Sequence, residues 1–205
     1  MSAPSSHALI LIHGLGAHWL MMSPLASRLQ GQFGQVMNWG YSSLWSRIEF
    51  HGRHMADQLR RLDDDPTIER IHLVTHSMGG IIARFALTSV MPKKMGRMVM
   101  LAPPNSGSHM ARWFSPILGR IFPPLAQLSD EAQSFVASLP PPADLEIGII
   151  AARHDFLVSE PRTHLSSEKE HIILPGMHSS LVWRKETAEQ VAAFLRSGEF
   201  RRGNK

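Results

Sequence analysis

The 205-residue chain contains no cysteine, which excludes disulfides, thiolate metal sites and a cysteine nucleophile. It also lacks a leader-like start. The segment Met1 to His7 carries no basic region, and the apolar run Ala8 to Ile12 is too short for a signal-peptide core or a membrane span. A cytoplasmic protein is the expectation. A clustered basic patch is missing too. Net charge is +4, but the cations are scattered as Arg60-Arg61, Lys93-Lys94 and Arg201-Arg202. No stretch interleaves basic and aromatic residues, so no nucleic-acid partner is expected. Weak contact with an anionic membrane surface stays open.

Internal repeats and low-complexity segments are absent. With 43% apolar and 19% charged residues, the composition is that of a chain able to bury a full core. One domain over residues 1–205 fits the length. Twelve histidines invite a metal reading, and His51 and His54 stand i, i+3 on a helical pattern. No third ligand is suitably placed and there is no His-Glu-x-x-His, so a solvated helix face explains the pair. No metal and no cofactor are expected.

What is present is an alternation of short apolar runs and longer amphipathic ones. Strands are predicted at Ala8–Ile12, Gln35–Trp39, Arg70–Thr75, Arg97–Leu101, Leu145–Ala151 and His171–Leu174. Helices are predicted at Trp19–Gln30, Ile48–Leu62, Met78–Val90 and Lys185–Arg196. This alternation implies an α/β fold with six strands in a mainly parallel sheet and helices on both faces. Ligands of such sheets bind beyond the carboxyl ends of the strands. One irregular stretch, Pro103 to Ala143, interrupts the pattern with many prolines and with Met110, Trp113, Phe114, Ile117, Leu118, Ile121 and Phe122. It reads either as extra core helices or as an apolar lid inserted at 104–143. Trp113 and Phe114 are its candidate substrate contacts.

The residues just past the strands carry the chemistry. Thr75-His76-Ser77-Met78-Gly79-Gly80 joins a strand to a helix in the context of a nucleophile elbow, with Ser77 as nucleophile. Thr75 stands where the Gly-x-Ser-x-Gly pattern has glycine, so the match is imperfect. A Ser-Met-Gly-Gly run could also merely cap a helix. The first strand ends in His13-Gly14-Leu15-Gly16, and the amides of Leu15 and Met78 would form a two-donor oxyanion hole. A phosphate-binding turn is the weaker alternative, since the third glycine is missing. His13 precedes the serine and reads as a structural histidine. In the order Ser, acid, His, Asp155 follows the fifth strand and His178 the sixth. Asp144, Asp130 and Asp63 to Asp65 are less well placed as the acid, and His154 is the rival base.

With these residues in hand, the chain resembles the bacterial lipase/esterase-like α/β hydrolases, often described as acetyltransferases and hydrolases of that fold. The likeness runs from His13-Gly14-Leu15-Gly16 to the last helix. It includes Thr75 to Gly80, where threonine before His-Ser is familiar, and Leu101-Ala-Pro-Pro-Asn-Ser-Gly-Ser108. Asp155 to Val158 resembles the family's acid loop. The resemblance implies a minimal α/β-hydrolase fold and ester hydrolysis through an acyl-enzyme, on a small-molecule or lipid ester. Asn105 and Ser106 are then structural or pocket-lining. The alternatives are an acyltransferase or perhydrolase using the same acyl-enzyme, and a non-catalytic binding module on the same fold.

Overall fold

The computed structural model describes residues 6–111, 119–130 and 134–202. Six strands, β1 His7–Ile12, β2 Gln35–Trp39, β3 Arg70–His76, β4 Met95–Leu101, β5 Glu146–Ala152 and β6 Glu168–Leu174, form one sheet in the order β2-β1-β3-β4-β5-β6. Every ladder between them is parallel. Among the described residues six α-helices accompany them: α1 Ser23–Leu29, α2 Ile48–Asp64, α3 Met78–Ser89, α4 Pro123–Gln127, α5 Phe135–Ser138 and α6 Lys185–Ser197. Among the described residues, no helix is long and apolar enough to cross a membrane.

The uninterrupted apolar run of β1 has a simple cause: its side chains alternate between two buried faces. Ile10 and Ile12 join Met55 and Leu59 of α2 and Ile81 and Ile82 of α3. Leu9 and Leu11 join Leu25 and Leu29 of α1 with Val191 and Phe194 of α6. Both faces are therefore covered at the centre of the sheet, which leaves the strand ends open for a site.

Several boundaries differ from the sequence expectations, and three of the differences have a clear local reason. The helix expected over Trp19–Gln30 is divided into a 3₁₀ turn, Trp19–Met22, and α1. Pro24 occupies the first turn of α1, where its fixed φ and missing N–H start a helix but cannot continue one. Strand β6 begins at Glu168 rather than His171. It is the edge of the sheet, and the charged run Glu168-Lys169-Glu170 that hides it from an apolar scan is what an exposed edge favours. Strand β4 likewise begins at Met95, two residues early, with Arg97 extending to Glu146 and the last turn of α6.

The expected solvated pair on α2 is also corrected. His54 is exposed, but His51 is buried, with its ring 4.7 Å from that of Tyr41. Burial lowers its pKa and favours the neutral ring.

Candidate active site

Ser77 lies between β3 and α3 with φ +52° and ψ −125°, a conformation few non-glycine residues adopt. Its amide donates to the Leu101 carbonyl at 2.9 Å, which ties the turn to β4. The tightness has steric consequences. A Cβ on Gly79 would meet the Ile12 and His13 carbonyl oxygens at 2.6 Å, and one on Gly14 would meet Ser77 Cβ at 2.9 Å. Both positions therefore require glycine. The threonine two residues before Ser77 is accommodated from the other side. Thr75 is fully buried, and its Oγ1 would lie 3.2 Å from a Cβ on Gly80, so the second glycine leaves it space.

Met78 is the first residue of α3, where an amide has no intrahelical acceptor and the helix dipole favours negative charge. Opposite it, the Gly14-Leu15-Gly16 turn borders the same cavity. Beneath that turn His13 is fully buried, and its Nδ1 donates to the Gly14 carbonyl at 3.0 Å. Tyr41 stacks on this ring at 4.2 Å and donates its hydroxyl to the His13 carbonyl at 2.7 Å. Burial keeps the Tyr41 phenol protonated and lowers the His13 pKa, so the support is uncharged. Sequence reasoning missed Tyr41, whose only signal is its being the one tyrosine in the chain.

Asp155 and His178 come together from the loops after β5 and β6. His178 Nδ1 lies 2.6 Å from Asp155 Oδ2, and both side chains are almost wholly buried. The other carboxylate oxygen, Oδ1, accepts the amides of Leu157 and Val158 at 2.9 Å each. Three donors thus fix the carboxylate, and the carboxylate fixes the ring. The rivals sit elsewhere. His154 is exposed and its amide serves the Gly176 carbonyl. Asp144 precedes β5. The Asp130 carboxylate is buried against His109 Nδ1 at 2.6 Å and Arg162 at 2.7 Å.

Ser77, His76, His178 and Leu15 line one cavity of about 400 Å³, walled mainly by apolar residues such as Met21, Leu125, Leu128 and Val158. Leu125 and Leu128 come from the irregular 104–143 stretch, as do Met110 and Ala111. Trp113 and Phe114, the expected substrate contacts, lie outside the described residues, as do Ile117 and Leu118. Asn105 is structural: it is buried, donates to the Thr163 carbonyl at 2.7 Å, and accepts from the buried Arg84. Arg84 also donates to the Leu139 carbonyl at 2.6 Å, binding both ends of the stretch to α3. Burial lowers its pKa to about 10. Ser106 is exposed, and its carbonyl accepts from Arg162.

One group among the described residues brings metal-ligating atoms within 4.8 Å of one another: Glu160, His164 and His171. Three of its four imidazole nitrogens are already engaged. His164 pairs with Glu168 at 2.7 Å and Glu160 at 3.0 Å, and His171 Nε2 meets Thr163 Oγ1 at 2.8 Å. The two rings stack at 4.0 Å with only 18° between their planes, so they do not converge on one ion. The group braces the segment after the Asp155 loop against β6.

The family model for the alpha/beta hydrolase fold matches residues 7–140. The chain belongs to the α/β-hydrolase family. A Mycoplasma pneumoniae protein described as an esterase/lipase is 28% identical over 108 residues, covering 49% of this chain but only 38% of that protein. Lipase BlEst2 of Bacillus licheniformis, in its mature form, superposes with a TM-score of 0.77 at 15% identity, over 98% of this chain and 95% of that one. A monoacylglycerol lipase of Paleococcus ferrophilus does so with a TM-score of 0.67 at 17% identity, over 96% of each chain. These structures share the fold.

Proposed function

We propose that this α/β hydrolase cleaves carboxylic esters through an acyl-enzyme, with Ser77 as nucleophile, His178 as base and Asp155 as the orienting acid. The observation that carries the reading is the 2.6 Å contact between His178 and Asp155, on a histidine that shares the cavity with Ser77. Because Asp155 only accepts, the His178 Nδ1 carries the proton, which leaves the Nε2 lone pair for the Ser77 hydroxyl.

The steps follow. Ser77 Oγ attacks the ester carbonyl carbon while His178 Nε2 takes the hydroxyl proton, giving a tetrahedral oxyanion and an imidazolium held by Asp155. The Leu15 and Met78 amides receive the oxyanion. Collapse breaks the C–O bond, and His178 gives its proton to the departing alkoxide. Water then attacks the acyl-Ser77 with His178 again as base, and the free acid leaves.

The mainly apolar walls of the cavity suit an apolar acyl chain, with Leu125 and Leu128 covering it. The esterase/lipase description of the Mycoplasma relative supports the same substrate class. A panel of p-nitrophenyl esters from acetate to palmitate tests the reading: turnover is expected for wild type and is lost in Ser77→Ala with an unchanged circular dichroism spectrum. Turnover that survives in that variant overturns it.

A further inference from the structure

The base must travel far to reach its nucleophile. Strands β3 and β6 are separated by β4 and β5, so three strand spacings, about 14 Å, lie between the ends that carry Ser77 and His178. Asp155 is on β5's loop and holds the His178 ring, but it does not hold the loop's main chain against β3. A different residue does. His76, the last residue of β3, points its Nε2 at the carbonyl oxygen of His178 itself, 3.1 Å away, and its ring centroid lies 4.8 Å from that of His178. A carbonyl only accepts, so Nε2 carries the proton and donates.

The other ring nitrogen, Nδ1, is buried and has no hydrogen-bond partner among the described residues. It faces Gly14, where an added Cβ would stand 3.2 Å away. Complete burial, reinforced by the neighbouring His178, lowers the His76 pKa to about 3. His76 therefore stays neutral across the working range and adds no charge opposing the His178 imidazolium.

We propose that His76 is a positioning residue that pins the main chain of the base to the strand carrying the nucleophile, through the Nε2–H donated to the His178 carbonyl. This rests on the reading of Ser77 and His178 as nucleophile and base. Two contacts then define the base from opposite ends, Asp155 at the ring and His76 at the backbone. Losing the second lets the imidazole drift, and displacement on the scale of an ångström costs on the order of 100-fold in rate.

Three variants separate pinning from packing. His76→Leu fills the space without a donor. His76→Gln places an amide N–H near the position of Nε2, and His76→Asn places its amide closer to Nδ1. His76→Leu and His76→Asn are expected to lose roughly 10- to 100-fold in kcat with KM changed less than about threefold. His76→Gln is expected to recover most of the loss. Equal activity in the Gln and Asn variants overturns the proposal, and this comparison stands even where the leucine variant fails to fold. A second readout does not depend on ester turnover. The downfield imidazole proton shared by His178 and Asp155, observed by NMR in a Ser77→Ala background, should broaden or shift in His76→Leu and return in His76→Gln. An unchanged resonance in all three variants overturns the pin while leaving the nucleophile assignment to the Ser77→Ala test.

Discussion

At the ends of β1 and β3 the backbones approach too closely for a side chain at Gly14 or Gly79, whereas at the ends of β5 and β6 the site is positioned mainly by hydrogen bonds to side chains. Gly14 and Gly79 leave no room for a methyl group, and Ser77 sits at positive φ between them. On the other side, Asp155 gathers two amides and one imidazole, and His178 is tied further through its own carbonyl. The difference predicts how each side fails. Sterics at the elbow are shared with the core, so damage there spreads to folding. Hydrogen bonds at the Asp155 and His178 loops are local, so damage there is expected to lower rate and spare the fold.

The largest effect is expected on the steric side. Gly79→Ala places a Cβ 2.6 Å from two carbonyl oxygens of the β1 end. The overpacking costs about 3 kcal/mol. A fall in the urea midpoint together with loss of turnover is the expected result, and a variant as stable as wild type breaks the comparison. On the hydrogen-bonded side, Asp155→Asn should fold normally and lose on the order of 10³- to 10⁴-fold in kcat. The substituted side chain keeps one oxygen to accept the Leu157 and Val158 amides, but its NH₂ would face His178 Nδ1 and impose the wrong tautomer. Matching wild-type melting with collapsed kcat sharpens the contrast, and a large loss of melting temperature contradicts it.

The smallest effect concerns acid. Strand β3 buries His72, whose Nδ1 accepts the Arg97 amide at 3.0 Å and whose pKa burial lowers to about 4. The unfolded chain takes up this proton near pH 6.5 while the folded protein does not. Stability from neutral His72 is therefore complete above about pH 6.5 and is lost as pH falls toward about 4. The slope is at most about 1.4 kcal/mol per pH unit. Urea titrations at successive pH values should show a shallower decline in His72→Asn, which keeps an acceptor for Arg97 but no titrating ring. An identical slope removes His72 from the account.

Much of the frame was legible because it is periodic or adjacent. Six strands announced themselves as apolar runs, and Ser77, Asp155 and His178 each follow one directly. What escaped has no period. The reach of His76 to a carbonyl 102 residues away, the Tyr41 hydroxyl under the first turn, and the Arg84 brace to Asn105 and Leu139 are pairings made only by folding. Thr75 looked like a flaw in its motif because the compensating space at Gly80 depends on the direction of a side chain. The start of β6 was hidden by charges that serve an edge, and edge status follows from strand order rather than from the strand's own residues.

In the proposed mechanism Ser77 is an activated nucleophile. Labelling with a fluorophosphonate, followed by peptide mass mapping, tests it without assuming a substrate. One adduct per chain on the peptide containing Ser77, absent in Ser77→Ala and strongly slowed in Asp155→Asn, is the predicted result. A folded wild-type protein that takes no label at Ser77, or labels at another serine, contradicts the account.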